Sequence, residues 1–325
     1  MTSPTRTTPI RTADGVLRRV VPARHPWRTV FSIVIVLFAL LAVGVLITNP
    51  NFEWSVVAKY VLAPQIVSGV GLAIMLTVVA MVLGTALGTV VAIMRISANP
   101  VIAAAAWVYV WFFRGTPLLV QLVFWYNLAI LFPKFSLGSL TLDANELITP
   151  IVASILGLTL NQGAYMAEIV RAGIVSVDPG QVEAAKALGM RGSKVMRRIV
   201  LPQALRVIIP PAGNETITML KSTSLVSVVA VADLMYQVNV ISAQTFQTIP
   251  ILIVATLWYL AITSVMSVGQ AWLERHFSAR PTARNSGLRR MVRGTATPRD
   301  AEAPAAATAA VEIVTEEARE GGDGR

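Results

Sequence analysis

Residues 60–94, YVLAPQIVSGVGLAIMLTVVAMVLGTALGTVVAIM, form an uninterrupted stretch of 35 residues without a charge. As one helix they would reach about 52 Å, against a bilayer hydrocarbon core of about 30 Å. The stretch is therefore read as a membrane segment with a break in it. Pro64, Gly69 and Gly71 supply the break, giving a short surface helix near Val56 to Val67 and a span from about Val70 to Met94.

The same arithmetic extends outward. No charge lies between Arg28 and Glu53, between Arg95 and Arg114, or between Asp233 and Glu274. The chain of 325 residues is 55% hydrophobic and only 14% charged, well below the charge of an ordinary soluble domain. Spans are expected at Thr29 to Thr48, at Val70 to Met94, and from near Arg114 to Phe132 after an inner-surface segment Val101 to Phe113 that breaks at Gly115 and Pro117. Three more fit Thr149 to Glu168, Val207 to Val231 (its entry interrupted by Pro210, Pro211 and Gly213) and Ile249 to Trp272. The first is too long for a signal-peptide core and is expected to stay in the mature protein. The fold class is thus an all-α integral membrane protein of about six transmembrane helices.

Of the 27 lysines and arginines, only Lys59 and Lys134 then fall outside. Arg114 and Lys221 lie near or within the membrane, and all others are inside. Both termini are placed in the cytoplasm by this bias. Residues 1–28 read as a flexible arm, 29–66 as the first span with its outer loop, 67–277 as the transmembrane domain proper and 278–325 as a disordered tail. Trp27, Trp54 and Trp272 are interface anchors, and Arg289, Arg290 and Arg293 are a solvated basic stretch.

The net charge of +10 does not indicate nucleic acid, because the cations border apolar segments instead of sharing a soluble face with aromatics. The chain has no cysteine, and its two histidines, His25 and His276, are far apart. Thiol and metal chemistry are therefore excluded. A phosphate loop and a serine, histidine and acid set are missing as well.

The cytoplasmic stretch Ser176 to Pro211 is built like ordered structure. Asp178 suits an N-cap, Pro179 the first helical position and Gln181 a capping box. Gly189 suits a left-handed helix end, and Ser193 can cap a second helix with Val195, Met196, Ile199 and Val200 on one side. Pro202 disrupts that helix. Such a knob between two spans serves as a docking element.

Here the chain resembles the permease subunits of bacterial ABC importers, whose cytoplasmic signature is Glu-Ala-Ala, three residues, Gly, nine residues, Ile, any residue, Leu, Pro. Glu183, Ala184, Ala185, Gly189, Ile199, Leu201 and Pro202 match it. Arg114 to Gln121, Ala164 to Arg171 and Lys221 to Leu225 are similar to the subfamily importing polar amino acids. The likeness covers Gly69 to Phe277. It implies the type I importer transmembrane fold, in which the helix Glu183 to Leu188 couples to an ABC ATPase through the segment 176–202. The implied partners are two ATPase subunits, an external solute-binding protein and a second permease copy or paralogue in the bacterial plasma membrane. ATP and Mg would belong to the ATPase, with no cofactor on this chain.

Charge inside a span is costly, so Lys221 needs a partner or an aqueous path. Residues 214, 218, 221, 222 and 225 follow helical steps, and Asn214, Glu215, Thr218, Lys221, Ser222 and Ser224, with Glu168, are the candidates for the solute path. Glu168 is alternatively the structural partner of Lys221, or brackets the inner mouth with Arg171. Arg114, with Gly115, Thr116 and Pro117, is either an inner-boundary anchor or a gate. An ion-gradient-driven transporter is the rival class. The long capped hairpin, the lack of an evident inverted repeat and the scarcity of intramembrane carboxylates weigh against it.

Overall fold

The computed structural model describes residues 9–11, 17–19, 26–137 and 140–277. The tail 278–325 and most of the amino-terminal arm lie outside these described residues. The chain divides into two units, one of residues 1–43 with 279–325 and one of residues 44–278. In the first, β1 (Pro9–Arg11) pairs antiparallel with β2 (Leu17–Arg19), and α1 (Pro26–Thr48) begins. At 23 residues α1 spans about 34 Å, as the apolar run from Thr29 to Thr48 predicts.

The second unit takes in the end of α1 and a 3₁₀ turn (Pro50–Phe52), then α2 (Trp54–Tyr60) and α3 (Pro64–Arg95), a single helix of 32 residues. The break expected at Gly69 and Gly71 is therefore absent. It lies upstream at residues 61–63, and Pro64 sits in the first helical turn, where its missing N–H leaves no bond unmade. Gly69 has a different task, since a Cβ there would lie 2.9 Å from the backbone of Asp233.

Helix α4 (Pro100–Gly115) and helix α5 (Leu118–Tyr126) meet at 102°. The break falls where Gly115 and Pro117 place it, but its two sides differ from expectation. The first side packs on the bundle through Ala106, Val110 and Phe113, with the Tyr109 hydroxyl donating to Leu160 O at 2.6 Å. The second has nine residues, about 13 Å, and cannot cross a bilayer alone. Only the bent pair together is long and apolar enough to be one span. After α6 (Leu128–Leu131), a small hairpin of β3 (Lys134–Leu137) and β4 (Leu140–Asp143) and α7 (Ala144–Leu147) lead into α8 (Pro150–Val175). Thr149 caps α8 by accepting from Val152 N at 3.3 Å. This helix ends seven residues beyond Glu168, so Glu168 and Arg171 both lie on it.

Then come α9 (Pro179–Ala187), α10 (Gly192–Val195), a π-helical turn (Met196–Val200) and α11 (Leu201–Ser222). Neither Pro202 nor the pair Pro210 and Pro211 interrupts this run. The Leu201 N–H bonds to Met196 O, five residues back, so the widened turn absorbs the proline that follows it. A 3₁₀ stretch (Thr223–Val229) ends α11, and α12 (Leu234–Thr245) and α13 (Thr248–Phe277) complete the unit. The segment from Asp233 to Gln247, between the fifth and sixth spans expected from sequence, is thus mostly helix, with Leu234, Val238 and Ile241 buried against α3 and α13.

Three of the apolar clusters among the described residues follow one another along α3. One joins Ile66 and Val70 to Leu234, Val238, Ile251 and Val254. The middle one joins Leu76, Ala80, Leu122, Leu158, Met219 and Val226. The third joins Ala92, Met166 and Val170 to Val177, Ala185, Val195, Val200, Ala204 and Ile208. Helix α3 crosses α8 most closely at Gly84 and Gly88. A Cβ on Gly88 would stand 2.6 Å from Met166 Cβ and 2.7 Å from Gly163 O, and one on Gly84 would stand 2.8 Å from Gln162.

Gly88→Ala is therefore expected to destabilise the protein by about 1–3 kcal/mol. Gly71→Ala, with nothing within 4 Å of the new methyl, is expected to leave stability unchanged or raise it slightly. Thermal unfolding of the two variants in one detergent compares them, and equal melting temperatures would remove the close-approach account.

Candidate functional site

Two sites stand on this frame, a projecting hairpin and a cavity. In the hairpin, Asp178 accepts from Gly180 N at 2.8 Å and caps α9. Gln181 does not reach back as a capping box requires; its Oε1 accepts from Gln203 Nε2 at 2.8 Å and ties the two arms together. Helix α9 ends in a Schellman motif, with Gly189 N bonded to Lys186 O at 2.9 Å and Met190 N to Ala185 O at 3.1 Å. Gly189 has φ +76°, as its position predicts. The second helix starts at Gly192, so Ser193 lies inside the first turn and is not its cap.

The signature residues divide by burial. Ala185 is 4% exposed and packs inward with Val177, Val195 and Val200, so it holds the hairpin together. Ile199 packs against the same cluster. Glu183, Ala184, Gly189, Leu201 and Pro202 are exposed, and Leu188, 84% exposed, forms an apolar tip. Only this outer set can touch a partner.

The cavity, of about 500 Å³, is lined by Arg95, Trp107, Val110, Trp111, Arg114, Gly115, Tyr165 and Glu168. Glu168 does not pair with Lys221. Its carboxylate accepts from Arg95 Nη2 at 3.3 Å and from Arg171 at 2.9 and 3.1 Å, which ties the end of α3 to α8. The Arg114 guanidinium lies 5.1 Å from the Tyr165 ring centre and makes no salt bridge among the described residues. Trp107 and Trp111 stack at 6.1 Å.

The break beside the cavity is internally satisfied. Pro117 has no N–H to give Phe113 O, four residues earlier. Gln121 Nε2 and Asn161 Nδ2 each donate to that carbonyl at 3.0 Å, and Gln121 also donates to Thr116 Oγ1 at 2.7 Å. Asn161 donates to Gln121 Oε1 at 3.2 Å as well. Reasoning from sequence missed Gln121 and Asn161 in this role, although a glutamine four residues after a proline in an apolar run is a usable signal. It also missed Tyr165, Trp107 and Trp111 as lining groups, and took Arg95 only as an inner-loop charge.

Of the polar row on α11, Asn214, Thr218 and Lys221 are exposed, while Glu215 and Ser222 are half-buried, as is Ser224 in the 3₁₀ stretch that follows. The hydroxyls of Thr218 and Ser222 donate to their own helix at 3.2 and 3.0 Å, and Ser224 donates to Lys221 O at 2.7 Å. The row ends where α11 does, because the following 3₁₀ turn rotates Leu225 toward the middle cluster.

Residues 84–279 match the family model described as the binding-protein-dependent transport system inner membrane component. The chain is 46% identical over 260 residues to the arginine transport system permease protein ArgU of Corynebacterium glutamicum, covering 79% of this chain and 82% of that one. It is 38% identical to the L-cystine transport system permease protein TcyB of Bacillus subtilis, over 65% of this chain and 86% of that one. A solved amino acid ABC transporter with histidines superposes with a TM-score of 0.58 at 37% identity, covering 67% of this chain and 96% of that chain.

Gln121→Leu removes one of the two donors to Phe113 O and leaves Asn161 short of a partner. It is expected to cost about 1–3 kcal/mol, read as a lowered melting temperature. Gly189→Ala, which meets no neighbour but must hold a left-handed backbone, is expected to cost about 1–2 kcal/mol, with proteolysis in the hairpin as its local readout.

Proposed function

The chain belongs to the family of binding-protein-dependent transport system inner membrane components, and from that membership we propose how its two sites move a polar amino acid across the bacterial inner membrane. As a permease subunit of an ATP-binding-cassette importer it is a transport subunit, with ATP handled by separate ATPase partners. This sets aside the ion-gradient reading.

The cavity is the cargo site. Its support is the meeting of both charge signs with aromatic faces in one space of about 500 Å³. Relatives named for arginine and cystine share the α-ammonium and α-carboxylate of their cargo, so this chain's cargo is read as a polar amino acid recognised through those groups. Because Glu168 already holds two arginines, the free guanidinium of Arg114 takes the carboxylate in a charge-assisted pair. The ammonium lies toward Glu168 and the ring of Tyr165. Arg114 thereby serves as a gate beside the Gly115, Thr116 and Pro117 break. Asn214, Thr218 and Lys221 continue the path along α11.

The hairpin is the coupling element. Glu183, Ala184 and Leu188 enter a cleft on the ATPase, which binds Mg and ATP, while this chain binds no cofactor. An external binding protein delivers cargo to the outer face, and a second permease copy or paralogue closes the path. Both termini and the hairpin face the cytoplasm.

Two experiments test this. With no native cysteine, Leu188→Cys gives a single site, expected to react with an impermeant maleimide only in inside-out vesicles; reaction from outside would overturn the orientation. In proteoliposomes holding the whole complex, Arg114→Gln is expected to slow uptake roughly 10- to 100-fold, with partial recovery in Arg114→Lys. Leu188→Glu is expected to abolish uptake in a folded, membrane-inserted protein. Uptake at the wild-type rate in Arg114→Gln would remove the cargo assignment.

A further inference from the structure

Beyond the coupling face, the hairpin carries a cluster of charges that neither the cavity nor the signature uses. Ser193, Lys194, Arg197 and Arg198 line a cavity of about 600 Å³. All four are exposed, and the three cations make no salt bridge among the described residues. From Ala184 to Asn214 the sequence holds Lys186, Arg191, Lys194, Arg197, Arg198 and Arg206 and no acidic residue. Nothing in this part of the sequence neutralises the cluster.

The π-helical turn explains why these cations point outward together. Val195 and Val200, five residues apart, are both buried in the inner cluster, a spacing that a turn widened to an i to i+5 bond brings onto one side. Lys194, Arg197 and Arg198 are left on the other. Along the same helix, three and seven residues after Arg198, Leu201 and Leu205 are 42% and 40% exposed. The unneutralised cations thus lead into two exposed leucines one turn apart, with the exposed Arg206 beside the second. That is the profile of a membrane boundary, with phosphate at the level of the cations and acyl chains at the level of the leucines.

We propose that Ser193, Lys194, Arg197 and Arg198 bind the phosphodiester headgroup of an anionic phospholipid in the inner leaflet. The two guanidinium forks engage the non-ester oxygens, Lys194 adds a point charge and the Ser193 hydroxyl donates a further hydrogen bond. The lipid pins the second arm of the hairpin to the bilayer surface while the Leu188 tip stays free for the motor. The proposal rests on the cytoplasmic placement of the hairpin given above. An acidic surface on the ATPase is the competing occupant.

The whole complex, with its ATPase and binding protein, is reconstituted in nanodiscs of mixed phosphatidylglycerol and phosphatidylcholine, and lipid retained after extraction is counted by native mass spectrometry. Each cation near an anionic leaflet contributes a roughly five-fold preference, so the wild type should retain phosphatidylglycerol selectively. The triple variant K194Q/R197Q/R198Q should lose that selectivity at least tenfold while keeping its ATPase subunits. R197K/R198K, which preserves charge, should keep most of it. Equal retention in wild type and triple variant overturns the proposal. So does loss of the ATPase from the triple variant, which would assign the cations to the motor, and so does displacement of the lipid by inorganic phosphate, which would mark a simple anion site. Maleimide reaction of Leu188→Cys from outside removes the orientation and this proposal together, whereas reaction from inside without lipid selectivity sinks this proposal alone.

Discussion

Helices α3 and α8 meet through absent side chains. Lipid tails are as apolar as leucine, so burial of apolar surface gives two helices in a bilayer little reason to associate, and close backbone packing has to supply the attraction. Gly84 and Gly88 permit it by leaving room for Gln162, Gly163 and Met166. The consequence is positional. The approach carries Arg95, at the end of α3, to within 3.3 Å of Glu168, and the same crossing sets one wall of the cavity. Below it, Ala92, Met166 and Val170 present the surface on which Val177, Ala185, Val195 and Val200 of the hairpin pack. Cavity and hairpin are therefore built on one rigid crossing.

Breaks in the other helices obey a second constraint, that a carbonyl in hydrocarbon has no water to accept from. The bend at Pro117 would strand Phe113 O, and the two donors that reach it come from α5 and α8. This covering ties the bend to α8 and fixes the direction in which α4 presents Arg114 and Trp111 to the cavity. At Pro202 a π-helical turn lets the helix run on past the proline, and it also decides which side of the second arm is buried.

Much of this was legible in the sequence wherever the signal is local or is a matter of length. Gaps between charges gave the apolar helices, and the left-handed helix end at Gly189 followed from its neighbours. Glycine was ambiguous, because Gly69 reads as a helix breaker when its real constraint is the backbone of Asp233 against it, and that approach has no trace near residue 69. Gln181 fits a capping box by spacing, yet Gln203 offers it a better partner across the hairpin. Glu168 reads equally as the partner of Lys221 or as a bracket of the inner mouth with Arg171, since spacing alone does not choose between them. Its actual partners are Arg171, one turn away, and Arg95, 73 residues earlier. Helix α12 went unread because its buried stripe is short and polar residues cover its open side.

The division of the signature by burial bears on how force would travel from a motor to the cargo. Ala185 sits in the hairpin's own core, so the signature's small residues divide: Ala185 lets α9 lie close to the second arm, and the exposed Ala184 would leave the outer face low enough for the cleft proposed to receive it. From that core the contacts run without a flexible joint through Val200 and Ala204 into α11, and through Val170 into α8. A displacement imposed at the exposed Leu188 must therefore move the hairpin ends of both helices together. Since α8 carries Glu168 and Tyr165, α11 carries the row from Asn214 to Lys221, and α4 with Arg114 is tied to α8 through Tyr109 and Phe113, the groups proposed to hold the cargo and those proposed to line its exit would shift as one body. The cavity would then move as a whole, with its walls held together by those bonds and with no need for the helices themselves to deform.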